Sequence, residues 1–130
     1  DWQALNHVYE QYARDNGLTY VSLFMLQLID DGTTQKELCD TLYFPKQTIN
    51  KTIQSFCRKG YIVLKNNNVD KRYKLIYLTE KGKDFQDKVI PAIQKAETES
   101  FDRLSGEEQK TLADLWEKYT SICIRKINGD

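Results

Sequence analysis

Apolar positions along this chain change their period at definite points, and those changes mark out its elements. Trp2, Leu5, Tyr9 and Tyr12 step by three, four and three residues, the rhythm of one helix face. Gly17 stops this stripe, and Thr19 stands where the cap of a second helix belongs. That second helix is expected to run to about Asp30 and to be closed by Gly32. Leu23, Phe24, Leu26, Leu28 and Ile29 make it apolar on nearly every face, which places it at the centre of the core. Thr34 and Glu37 have the spacing of a capping box and open a third helix with Leu38 and Leu42 facing inward. Pro45 disfavours helical geometry at Phe44, so this helix must end by about Tyr43. A fourth helix covers residues 46–59. Its Ile49, Ile53 and Phe56 fall at i, i+4 and i+7, and Gly60 takes the left-handed position after it.

The period then shortens. YIVLK at 61–65 and YKLIYL at 73–78 read as two strands, joined by an Asn-rich hairpin loop longer than a two-residue turn. Thr79 caps a fifth helix that reaches about Phe101, and Pro91 is expected to bend it or break its ladder locally. Ser105 and Glu108 form another capping box. The last helix then aligns Leu112, Leu115, Trp116, Tyr119, Ile122 and Cys123 along one stripe. The predicted class is mainly α with a small antiparallel β-hairpin, a winged helix-turn-helix. One domain is expected over 1–130, with its core at 18–79 and further helices at 1–16 and 80–130.

Two aromatic stripes at opposite ends exceed what one winged domain needs, and a helix-turn-helix reader reaches a second half-site by dimerising. Trp2, Leu5, Tyr9, Leu112, Leu115, Trp116, Tyr119 and Ile122 are therefore the candidate dimerisation residues.

Composition alone is ordinary: 130 residues, 40% hydrophobic, 29% charged and net charge zero. No apolar run approaches the roughly 18 residues of a membrane span, and no signal-peptide pattern is present. Cys39, Cys57 and Cys123 are odd in number and far apart, which fits a reducing cytoplasm rather than a disulfide framework. They are expected to be small buried hydrophobes, since a redox-sensing thiol is exposed and low in pKa.

The distribution of charge changes the picture. Residues 45–74 hold eight lysines and arginines against Asp70 alone, whereas the flanking segments are net acidic. Clustered positive charge is the footprint of phosphate binding. The outer face of the fourth helix carries Gln47, Asn50, Lys51, Gln54 and Arg58 with no carboxylate, a set suited to base edges and phosphates. Gln47, Asn50 and Gln54 are candidate base readers, and Lys46, Lys51 and Ser55 candidate phosphate contacts, with Thr48 included on the same helix. Lys71, Arg72 and Lys74 sit in the hairpin. Taken alone such a run is a solvated loop; beside a recognition-like helix it points to DNA, with Arg suited to a narrow minor groove.

At these residues the chain resembles the MarR family of winged-helix transcription regulators. Asp70-Lys71-Arg72, five residues, Leu78-Thr79, two residues and Gly82 are similar to that family's wing signature, D-x-R followed by L-T-x-x-G. Leu18-Thr19, TTQKEL at 33–38, QTINKTI at 47–53 and RKGYI at 58–62 follow in the family's order and spacing. The resemblance implies a homodimer joined through its terminal helices, with the fourth helix in a major groove. It also implies that Arg72 reaches a minor groove and that Asp70 braces the wing. Pro45 departs from the Ser or Asp cap common at that spot, so the first turn of the recognition helix is capped differently.

The implied partners are a double-stranded DNA operator, a second copy of the chain and a small-molecule effector in a pocket lined by Tyr9, Tyr12, Tyr20 and Met25. The implied function is a ligand-responsive repressor on a pseudo-palindromic operator. A winged-helix protein-interaction module without DNA binding is the alternative. No cofactor is expected. His7 is the single histidine, too few ligands for a metal sensor. No P-loop, dinucleotide glycine pattern or histidine near a nucleophile suggests an enzyme.

Overall fold

A two-residue strand that the hydrophobic pattern does not announce, Thr33–Thr34, turns the expected hairpin into a three-stranded sheet. The computed structural model describes residues 1–130. Its elements run α1 (Trp2–Asp15), α2 (Tyr20–Leu28), β1 (Thr33–Thr34), α3 (Gln35–Leu42), α4 (Lys46–Arg58), β2 (Ile62–Lys65), β3 (Leu75–Leu78), α5 (Glu80–Asp102) and α6 (Gly106–Ile127). The antiparallel sheet has the order β1-β3-β2. β1 pairs Thr33 with Ile76 and Thr34 with Leu75, and β2 pairs Ile62 with Leu78 through to Lys65 with Leu75.

This strand also explains why α2 ends earlier than Asp30. Ile29 leaves helical geometry at ψ 123°. Asp30 and Thr33 then close a turn, with the Asp30 N–H donating to Thr33 Oγ1 at 3.0 Å and the Thr33 N–H to Asp30 O at 3.1 Å. Gly32 does not terminate the helix. It has φ +89° and donates its N–H to Ile76 O at 2.8 Å, leading the chain into the sheet. Thr34 does two jobs, as the last residue of β1 and as the cap of α3. Its hydroxyl accepts from the Glu37 N–H at 3.2 Å while Glu37 Oε2 accepts from the Thr34 N–H at 3.2 Å. Such a cap contributes about 1 kcal/mol. Thr19 with Ser22 and Ser105 with Glu108 make the same reciprocal pairs at α2 and α6.

Two compact units emerge, residues 1–91 and 92–130, with the boundary inside α5 after Pro91. The first holds the core. Leu23, Met25 and Leu26 of α2 meet Leu38 of α3, Ile49, Ile53 and Phe56 of α4, Ile62 and Ile76 of the sheet and Val89 of α5, all buried. α2 is central, as its all-round apolar pattern requires. Helix α5 stays continuous through Pro91 rather than breaking, although proline's missing N–H leaves the Asp87 carbonyl without its intrahelical donor. In the second unit, the segment 92–102 and α6 are joined by a short turn. There Gln109 Nε2 donates to Phe101 O in the last turn of α5 and to Leu104 O in the turn after it, at 3.0 and 3.2 Å. None of the α6 residues is buried.

Candidate nucleic-acid interface

Helix α4 owes its orientation to its apolar stripe. Ile49, Ile53 and Phe56 are buried, so the opposite face, Lys46, Gln47, Asn50, Lys51, Gln54 and Arg58, is turned to solvent. Thr48 and Ser55 lie at the sides of the helix and are half-buried, so they are flanking groups rather than part of the open face. Pro45 holds the N-cap position without a side-chain hydrogen bond, as its lack of a polar group dictates. Between α3 and α4 lies an open depression of about 380 Å³ lined by Gln35, Lys46, Gln47 and Asn50. Gln35, the first residue of α3, was not signalled by the sequence pattern. Its approach to α4 depends on the turn between the two helices, which the pattern does not specify.

The far end of α4 is tied to the start of α5. The Thr79 hydroxyl donates to Gly60 O at 2.5 Å and accepts from the Gly82 N–H at 3.0 Å. Lys81 Nζ donates to Lys59 O at 2.8 Å, placing a cation at the negative end of the α4 dipole. The Tyr61 and Phe85 rings stack at 4.5 Å, 2° from parallel. Gly82 is required here because a Cβ would stand 1.9 Å from the Tyr61 carbonyl oxygen. The Leu-Thr-x-x-Gly pattern is thus the joint through which the wing returns to the helices.

The wing itself is held by polar groups. Asn67 Oδ1 accepts from the N–H groups of Val69 and Asp70 at 2.9 and 3.1 Å, an Asx turn at the tip. Asp70 then receives three hydrogen bonds from Arg72. The backbone N–H and Nε reach Oδ1 at 3.0 Å each, and Nη2 reaches Oδ2 at 2.9 Å. This fork-on-fork geometry fixes the guanidinium plane. The Arg72 side chain nevertheless remains 79% exposed. The same bonds hold the Asp70 carboxyl below its usual pKa and make the Arg72 guanidinium a still weaker acid. Arg72 also lies 5.5 Å from the Tyr73 ring centroid. Lys71 and Lys74 are exposed beside it. The wing therefore presents its cations from a hydrogen-bonded turn, and the helix its cations and amides from a face opposite its buried stripe.

Other sequence-derived candidates divide. Met25 is wholly buried, and the Tyr12 hydroxyl donates to Val89 O at 2.7 Å, so both are engaged in the core. Tyr9 and Tyr20 are half-buried against Phe24, with centroids 5.3 and 4.8 Å away. Trp2 and Leu5 of α1, and Leu112, Leu115, Trp116, Tyr119 and Ile122 of α6, are exposed. The three cysteines are half-buried rather than fully buried, because each lies at the edge of a helix's apolar face. Burial pushes the Cys57 thiol up, which opposes an activated thiolate despite its neighbours Arg58 and Lys59. No cluster of three or more His, Cys, Asp or Glu is placed to hold a metal ion. No helix is long and apolar enough to cross a membrane.

Comparison with known proteins agrees with this geometry. A family model described as MarR family matches residues 16–72, the stretch from the end of α1 to Arg72 of the wing. The HTH-type transcriptional regulator SarZ of Staphylococcus epidermidis is 28% identical over 109 residues, covering 82% of this chain and 73% of SarZ. The HTH-type transcriptional repressor YetL of Bacillus subtilis is 28% identical over 122 residues, covering 88% of this chain and 73% of YetL. In fold, the chain is similar to Staphylococcus aureus MepR in a MepR–DNA complex. The TM-score is 0.73 at 22% identity, over 92% of this chain and 90% of that one. Proteins of this family are DNA-binding regulators, not enzymes. Residues 16–72 thus match the MarR family of regulators, and the chain as a whole has the winged helix-turn-helix fold of the solved MarR regulators.

Proposed function

We propose that this protein is a cytoplasmic, ligand-responsive repressor that binds a pseudo-palindromic double-stranded DNA operator as a homodimer. The carrying observation is the exposed face of α4, where Lys46, Gln47, Asn50, Lys51, Gln54 and Arg58 stand without a carboxylate. Gln47, Asn50 and Gln54 read base edges in the major groove, where amides pair bidentately with adenine. Lys46, Lys51, Lys71 and Lys74 neutralise phosphates, with Thr48 and Ser55 flanking them. Arg72, aimed by Asp70, enters the adjacent minor groove.

Residues 18–79 form the reading part of the chain, and 1–16 and 80–130 the dimerising part. Exposed apolar residues on α1, Trp2 and Leu5 with half-buried Tyr9, and separately on α6, Leu112, Leu115, Trp116, Tyr119 and Ile122, favour this assignment. Apolar patches of this kind mark association surfaces. An effector acts by binding one spacing of the two recognition helices better than the other. Tyr9 and Tyr20, half-buried against Phe24, are the aromatic groups of α1 and α2 left to line such a pocket, with Tyr12 and Met25 engaged in the core. The repressor reading draws on YetL, whose name describes a repressor.

Selection of bound sites from genomic DNA at two salt concentrations tests the reading. A two-fold-symmetric site with strongly salt-dependent affinity is expected. Arg72→Ala is expected to weaken binding to that site about tenfold or more, with fold and oligomeric state intact. Unchanged affinity of this variant would remove the wing from the interface.

A further inference from the structure

The turn joining α3 to α4 contains the one non-glycine residue of the chain with positive φ, Tyr43 at +57°. Bulky L residues enter this left-handed region only at a steric cost, whereas Gly and Asn enter it readily. Outliers of this kind persist where their surroundings over-determine them, and here they do. The Tyr43 N–H donates to Cys39 O at 3.0 Å and closes α3. Phe44 turns inward, its ring edge-on to Tyr20 with centroids 6.4 Å apart. Pro45 follows at φ −54°. With Phe44 anchored and Pro45 rigid, Tyr43 is directed outward and is 89% exposed.

A tyrosine is a poor choice for this position on structural grounds. Its exposed ring buries little apolar area, and its backbone geometry favours a different residue. What it offers is a phenolic O–H, a neutral donor, on a rigid aromatic arm. Three residues of chain, a span of at most about 11 Å, separate it from Lys46, the first residue of the cationic and amide face of α4.

We propose that Tyr43 is a phosphate-contacting residue. Its O–H donates to a backbone phosphate at the edge of the groove that α4 occupies, fixing the register of the recognition helix without reading sequence. The inference rests on the DNA-binding reading above and adds to it a contact outside both α4 and the wing. Because the group is neutral, it contributes affinity without adding to the salt dependence that the lysines set.

The test uses the full chain and two duplexes, the selected site and a scrambled sequence of equal length, each at two salt concentrations. Tyr43→Phe removes only the oxygen. It is expected to weaken both duplexes by the same factor, about five- to tenfold, with salt slope and melting temperature unchanged. Tyr43→Asn is expected to weaken binding equally while keeping or raising the melting temperature, since Asn tolerates the left-handed backbone. Lys46→Ala serves as the contrast, lowering the salt slope by about one. Binding of Tyr43→Phe equal to that of the unchanged protein, or weakening confined to one duplex, overturns the inference alone. Absence of duplex binding by the unchanged protein overturns the DNA-binding reading and this inference with it.

Discussion

Helices α4 and α6 are both amphipathic, yet their two faces meet opposite fates. In α4 the apolar face is closed off by its own chain, with Ile49, Ile53 and Phe56 buried, and the polar face is exposed. In α6 the apolar face is exposed as well, with Leu115 at 59% and Tyr119 at 62%. Their polar faces differ too. That of α6 mixes signs, Glu107, Glu108 and Glu117 among Lys110, Lys118 and Arg125, with Lys110 paired to Asp114 at 2.6 Å. That is how a solvated face is built. The outer face of α4 has no acid at all. The same apolar spacing therefore meets two fates: α4 buries its stripe in the core and leaves its polar face open, while α6 leaves its stripe exposed.

The strongest way to break this contrast is through stability. Phe56→Ala is expected to cost about 3–5 kcal/mol in denaturant unfolding, the range for a buried aromatic. Leu112→Ala in α6 should cost far less when measured at dilutions that dissociate any oligomer. Equal losses would mean that the two stripes are not used differently. Next in size is Gly82→Ala, whose added methyl meets the Tyr61 carbonyl oxygen at 1.9 Å. A loss of about 3 kcal/mol, at the upper end for overpacking, is expected, and a melting temperature close to that of the unchanged protein would show that the joint yields.

A smaller effect, of about 2 kcal/mol per copy, is expected on association rather than folding from Leu115→Asp. Sedimentation should then move toward the monomer with secondary structure retained, and an intact dimer would take the α6 face out of the interface. The smallest effect concerns pH. Hydrogen bonds from Arg72 lower the Asp70 pKa, so the wing brace is present above the ordinary carboxylate range and is lost only as pH falls through the lowered value. DNA affinity should therefore show no step from this group between about pH 5 and 8, and a step that disappears in Asp70→Asn would contradict the bracing.

Much of this was legible in the chain because helices announce themselves by period and caps. Thr34 with Glu37, Ser105 with Glu108 and the stripe of Ile49, Ile53 and Phe56 need only local geometry. β1 was not legible. Two threonines cannot establish a period, and their pairing with Leu75 and Ile76 lies some forty residues away. The end of α2 was misplaced for the same reason, since Gly32 serves the sheet and not the helix. At the interface, the charge pattern singled out the α4 face and Arg72, but not Gln35, which only the turn between helices brings near Asn50. Pro45 indicated where α3 must stop, but nothing local indicated that Tyr43 would absorb the reversal in a left-handed conformation.

The joint at Gly60, Tyr61, Thr79, Lys81 and Gly82 has a mechanical consequence. Two hydrogen bonds from α5's first turn and its cap to the Lys59 and Gly60 carbonyls just past α4, a parallel ring stack and a contact too close for a methyl group join the two shafts closely. They are keyed together. A rotation of the start of α5 would therefore carry the end of α4 with it, and with it the exposed amides Gln47, Asn50 and Gln54.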